Sequence, residues 1–218
     1  MADQMYAVIG LGRFGLSVAK RLYEAGQEVL GIDMDEERVE DAELSVTHAV
    51  VADTTEEESL KSIGVRNFDV GIVAIGSDMQ SSVLTVLLLK EQGVKKVIAK
   101  AVDRHHGKVL EKVGADWVIY PDRDMGERVA HQLLSPNVIN YIELSRDYHI
   151  EEVKVPQSMD GKKLGELDIR AEYNITVIAV VDDGDIIVSP PADQVITRDN
   201  IMVVIGHRND LESFTKAK

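Results

Sequence analysis

The residues best suited to do chemistry lie in one short stretch, "AVIGLGRFGLSVAKRL", residues 7–22. Gly10, Gly12 and Gly15 have the G-x-G-x-x-G spacing of a dinucleotide-binding turn, and they stand where an apolar strand pattern gives way to a helical one. Gly10 is expected to make the tight turn and Gly12 to let the backbone approach a pyrophosphate. Gly15 is expected to let helix and strand pack closely. The helix start offers free N–H groups to phosphate oxygens. Asp33 ends the next apolar run, about 20 residues on, where a carboxylate pairs with ribose hydroxyls. That charge would repel a 2′-phosphate, which disfavours NADP. Arg13 stands inside the turn, where a guanidinium can pair with a terminal phosphate on its own or a neighbouring subunit. ATP and ADP carry such a phosphate; NAD does not.

Further candidates follow from where ligands sit in such sheets, at the carboxyl ends of strands around the switch point. "VADTT" puts Asp53 and Thr54 after a third strand, within reach of an adenine. "VAIGSD" puts Ile75 and Gly76 after a fourth, and Lys100 ends a fifth, where an ammonium meets phosphate. Asp122, after a sixth, is the candidate for a phosphate-bound cation, against the commoner role of a solvated loop acid. Each of these also suits an ordinary loop or cap position. The six histidines (His48, His105, His106, His131, His149, His207) are scattered and read as surface residues rather than ligands. No G-x-S-x-G, H-E-x-x-H or G-x-x-x-x-G-K-[ST] string occurs.

The elements that must hold these residues are legible as alternating patterns. Strands are expected at 6–9, 28–32, 47–51, 70–75, 96–101 and 117–120, with helices at 14–25, 36–44, 56–63, 80–92, 105–113 and 125–134. Such alternation, with nearly continuous apolar strands such as "VGIVAI", predicts a Rossmann-type doubly wound parallel sheet over residues 1–134. Ser135-Pro136 interrupts the pattern, and 135–148 reads as a structured hinge. A small α+β unit is expected over 149–218: strand 150–155, helix 162–173, strand 175–181, a tight "DDGD" turn, strands 186–189 and 201–205, and a terminal helix 211–216.

Composition bounds the function. The 218 residues are 44% hydrophobic and 28% charged, as in a soluble globular protein of one or two domains. A net charge of −14 argues against nucleic-acid binding and against direct binding to anionic membranes. No run approaches the ~20 apolar residues that span a bilayer, and the N-terminus lacks signal-peptide character. The absence of cysteine excludes disulfides and thiolate metal sites, and suits the cytoplasm.

Several stretches together, "YAVIGLGRFGLSVAKRL", "VLGIDMDEERV", "THAVVADTTEEESLKSIGVRNFDVGIVAIG", "VLEKVGADWVIYPDRDMGERVA" and "LGELDIRAEYNITVIAV…IIVSP…IMVVIGH", closely resemble the RCK (KTN) family, regulators of K⁺ conductance, across essentially the whole chain. The resemblance is to the free-standing gating subunits of bacterial Ktr/Trk-type potassium uptake systems. It implies a nucleotide-binding lobe, a C-terminal RCK lobe, and dimers assembling into an octameric ring under a membrane potassium-translocating subunit. By match, ATP and ADP compete for a site made by Gly10, Gly12, Arg13, Phe14, Gly15, Asp33, Met34, Asp53, Thr54, Ile75, Gly76 and Lys100. Arg13 matches an arginine that senses the γ-phosphate across the dimer. Where relatives hold a divalent cation (Mg or Ca) with Glu, this chain has the shorter Asp122. The C-terminal lobe of many relatives binds cyclic di-AMP, for which Ile169, Arg170, Ile175 and Pro191 are the matching positions. The resulting expectation is a non-catalytic allosteric subunit. The competing reading, a small NAD-dependent oxidoreductase, would need a second domain with an acid–base group against the nicotinamide. A third reading is an adaptor whose nucleotide is a permanent part of the fold.

Overall fold

The computed structural model describes residues 4–134 and 137–216, so the break expected at Ser135-Pro136 lies outside the described residues. The chain divides into two compact units, Met1–Asp124 and Met125–Lys218.

The first unit is built on strands β1 (Met5–Ile9), β2 (Glu28–Asp33), β3 (His48–Val51), β4 (Val70–Val73), β5 (Lys96–Lys100) and β6 (Trp117–Ile119). Helices α1 (Arg13–Glu24), α2 (Glu36–Ala42), α3 (Glu57–Ile63), α4 (Met79–Glu91) and α5 (Arg104–Lys112) follow them in turn, and α6 (Pro121–Leu134) begins in this unit and continues from Met125 in the second. All strands pair in parallel in the order β3-β2-β1-β4-β5-β6, the doubly wound order with its switch point between β1 and β4. Successive side chains serve opposite faces. Val8 packs with Ala19, Val29 and Val39, whereas Ile9 packs with Ile32, Val73 and Leu89.

The boundary differences from expectation include those at β4 and α6. Strand β4 stops at Val73, so Ala74, Ile75 and Gly76 form a loop at the switch point. Helix α6 starts at Pro121, four residues before the expected Met125, because proline's missing N–H and fixed φ suit a first helical position.

The second unit is an antiparallel sheet in the order β10-β9-β11-β8-β7. Its strands are β7 (Val138–Glu143), β8 (Tyr148–Lys154), β9 (Thr176–Asp182), β10 (Asp185–Val188) and β11 (Ile201–His207). Its helices are α7 (Leu164–Leu167), α8 (Ile169–Tyr173) and α9 (Arg208–Thr215). The "DDGD" turn is as expected, with Asp183 at φ +45° and Gly184 at φ +93°. Two expectations are corrected. The region read as a hinge carries β7, which pairs antiparallel with β8. The helix expected over 162–173 is two short pieces. Leu164 and Gly165 N–H groups bond to the Gln194 and Ala192 carbonyls at 2.9 and 2.8 Å, and Asp168 at φ +42° turns the chain so that Ile169 enters the core.

The histidines are also not uniformly on the surface. His106 is fully buried, with Nδ1 accepting from the Val102 N–H at 3.3 Å, and His149 is only 7% exposed.

Candidate functional site

The phosphate turn is set by backbone geometry. Gly10 sits at φ +91°, and a methyl there would meet the Ala74 carbonyl carbon at 3.0 Å. Gly15 is closer still: an added Cβ would lie 1.8 Å from the Gly10 carbonyl oxygen. At Gly12, by contrast, a Cβ would meet nothing within 4 Å. The backbone at Gly12 therefore borders open space, the room that a pyrophosphate needs. Helix α1 begins there with no side-chain cap and no acid in its first turn, so its positive end faces that space uncompensated.

The acid at the end of β2 is held from below. Asp33, 6% exposed, accepts from the Leu11 N–H at 2.7 Å through Oδ2 and from the Asp35 N–H at 3.0 Å through Oδ1. Its carboxylate is thus fixed across the turn from the glycines. Arg38 lies 3.6 Å from Asp33 and 3.5 Å from Asp35.

These residues line a cavity of about 540 Å³ at the switch point, a size typical of small-ligand sites. Of the expected contacts, Gly10, Gly12, Arg13, Phe14, Asp33, Met34, Asp53, Thr54, Ile75, Gly76 and Lys100 all line it. Gly15 does not, and its role is packing. Thr54 is buried and shares a 2.9 Å hydrogen bond with Thr85 of α4. Asp53 accepts from the Thr55 N–H and hydroxyl at 2.9 and 2.7 Å, a local turn that aims the loop. Lys100 extends beside Gly76, whose Cβ would lie 3.5 Å from Nζ, and stands 5.7 Å from the Phe14 ring centroid. Among the described residues Arg13 forms no ion pair. A cation without a partner beside an open anion-ready turn is the electrostatic arrangement that a polyphosphate would complete.

Sequence reasoning missed Asp35, Arg38, Thr55, Ser77, Asp78 and Ser81, which also line the cavity. The available signal was capping: an aspartate opening a helix directly after a strand end must stand in the crevice at that strand's carboxyl end. Asp35 caps α2, and Asp78 caps α4 while accepting from the Ser81 hydroxyl at 2.6 Å. The Ser81 hydroxyl and backbone bonds hold the Asp78 carboxyl below the usual range.

Two expected sites fare differently. Asp122 is 86% exposed, lies 3.6 Å from Lys100 Nζ and is outside the cavity lining. Among the described residues no three acids or histidines are arranged to hold a metal ion. In the second unit Ile169 and Ile175 are 5% and 1% exposed and pack in its core cluster. Arg170 and Pro191 are exposed.

A Rossmann fold with an open phosphate turn, a caged acid and an arginine free of ion pairs among the described residues defines a nucleotide-binding class of protein, joined here to a small antiparallel-sheet unit. Residues 6–121 match the TrkA-N domain and residues 149–218 the TrkA-C domain, so the chain belongs to the TrkA (RCK) family of potassium transport proteins. It is 46% identical over 211 residues to the Ktr system potassium uptake protein C of Bacillus subtilis, covering 97% of this chain and 96% of that protein. It is 45% identical to the Ktr system potassium uptake protein A of the same organism, with the same coverage. In three dimensions it is similar to the GsuK RCK domain, with TM-score 0.55 and 21% identity, covering 98% of this chain and 46% of that one. Among the described residues no helix is long and apolar enough to cross a membrane.

Proposed function

We propose that this chain is a non-catalytic regulatory subunit of a potassium uptake system, which binds ATP or ADP in the cavity of its first unit and biases the gate of a membrane potassium-translocating partner from the cytoplasmic side. The observation that carries the choice of ligand is Arg13. It is exposed, lines the cavity at the phosphate turn and has no ion-pair partner among the described residues. Near-complete mutual coverage with two potassium uptake proteins supports the choice of system.

Switching requires that one nucleotide make contacts in one arrangement of the subunits that the other lacks. A γ-phosphate reached by Arg13 provides that difference, at roughly 1.5–3 kcal/mol per charge-assisted hydrogen bond. Repeated around a ring of identical subunits, the same bias acts at every site. Self-association has a physical basis in α6, where Met125, Val129 and Leu133 recur at a spacing of four residues and are 57%, 47% and 78% exposed.

The test is calorimetric titration of the nucleotide-stripped protein with ATP, ADP, NADH and cyclic di-AMP, alongside light scattering. Saturable binding of ATP and ADP at one site is the expected outcome. Preference for NADH with turnover of a carbonyl substrate would move the chain to the oxidoreductases. A nucleotide removable only by unfolding would make it an adaptor. Cyclic di-AMP binding that Arg170→Ala abolishes would add the second ligand at the other unit.

A further inference from the structure

In the second unit the inward face of β8 reads His149, Glu151, Val153, so two titratable groups occupy positions that the strand otherwise gives to core residues. Glu151 is 3% exposed and His149 7%. Helix α6 adds a third group. His131 Nε2 lies 3.6 Å from Glu151 Oε1, and His149 Nδ1 lies 3.9 Å from the same oxygen. Neither ring nitrogen has a hydrogen-bond partner among the described residues. Tyr141 of β7, paired across from Glu151, closes the group, with ring centroids 4.2 Å from His131 and 5.8 Å from His149.

A buried carboxylate without a hydrogen-bonded counter-ion is stable mainly as the neutral acid. No Lys or Arg of the described residues comes within ion-pair distance of Glu151. The charged and titratable groups facing the cluster come from three neighbouring elements. From α9 come Arg208 and Glu212, themselves 3.6 Å apart; β11 contributes His207, and β7 contributes Glu143 across from His149. Burial, with Glu212 adding and Arg208 opposing, pushes Glu151 up to about 7. Burial also pushes both histidines down, so the rings rest neutral and one nitrogen of each is free to accept a proton or a hydrogen bond.

We propose that His131, His149 and Glu151 form a proton-binding site that holds one proton among them near neutrality and makes the stability of the second unit depend on pH. Protonated, the Glu151 O–H faces two ring nitrogens and the group is uncharged. Deprotonated, it leaves a buried negative charge between two neutral rings. Among the described residues no trio of acids or histidines is arranged for a metal ion. The site lies outside the nucleotide cavity and stands or falls independently of the nucleotide reading.

The sign follows from linkage. Glu151 titrates in the folded protein well above its ordinary value of 4.5, so its contribution is complete below that pH and is lost as pH rises to about 7. The two histidines act oppositely: their folded values are depressed, so they lose stability as pH falls through 6.5. Thermal unfolding of the full chain at pH 5 to 8.5 compares wild type with Glu151→Gln. The variant should gain on wild type as pH rises and the gain should level off above about pH 7. An offset that is the same at every pH would overturn the proposal. Infrared spectroscopy of the unmodified protein tests it without relying on any variant folding. A protonated-carboxyl band should be present at pH 6 and fade through about 7, and its absence at pH 6 overturns the site. One-to-one binding of zinc that His131→Gln abolishes would reassign the trio to a metal, and so would also overturn it.

Discussion

Three glycines in one turn do different work, and a methyl group distinguishes two of them. Gly10 is held at φ +91° against Ala74, so Gly10→Ala should destabilise the first unit by about 1–3 kcal/mol, seen as a lowered Tm without ligand. Gly12 has open space where a Cβ would point. Gly12→Ala should therefore leave the ligand-free stability within about 0.5 kcal/mol of wild type while weakening nucleotide binding, because only a bound phosphate would meet the methyl. Equal destabilisation by both changes would contradict this division. The spacing of Gly10, Gly12 and Asp33 was legible because each role is a local backbone requirement, written as a residue type at a fixed offset. Arg38 was not legible. It reaches Asp33 and Asp35 only because α2 brings it around one turn, and nothing in a single arginine on a charged helix announces that. Ile169 and Ile175 of the second unit pack in the core, and sequence alone left that role and a ligand-facing one open because an apolar residue facing a ligand is of the same type as one facing its neighbours.

At the scale of elements, the parallel sheet was legible almost to the residue because strands covered on both faces read as unbroken apolar runs. The strands of the second unit are covered less evenly, and there the reading failed at β7. Its burial follows no alternation, and the register shifts between Val138 and Asn140, so neither period two nor an apolar run marks it. Helix α6 has no buried residue, yet it carries an apolar stripe. Such a stripe on a folded chain calls for a covering surface. Leu133→Asp is expected to lower the assembly mass measured by light scattering while the circular dichroism of the fold is unchanged. Unaltered mass would remove α6 from the interface.

For the molecule as a whole, the acidic surface, the membership of a potassium transport family and the cavity in the first unit fit one account: a subunit that reads a nucleotide and passes the result on by changing shape. On the two proposals its units would carry separate sensitivities, to a phosphate in the first and to a proton in the second. The nucleotide reading turns on Arg13 distinguishing a terminal phosphate. Calorimetric titration of nucleotide-free wild type and Arg13→Ala with ATP and with ADP tests it most directly. The variant should keep its ADP affinity while ATP binding falls by about 10- to 150-fold, the equivalent of one charge-assisted hydrogen bond. The same loss for both nucleotides would contradict it.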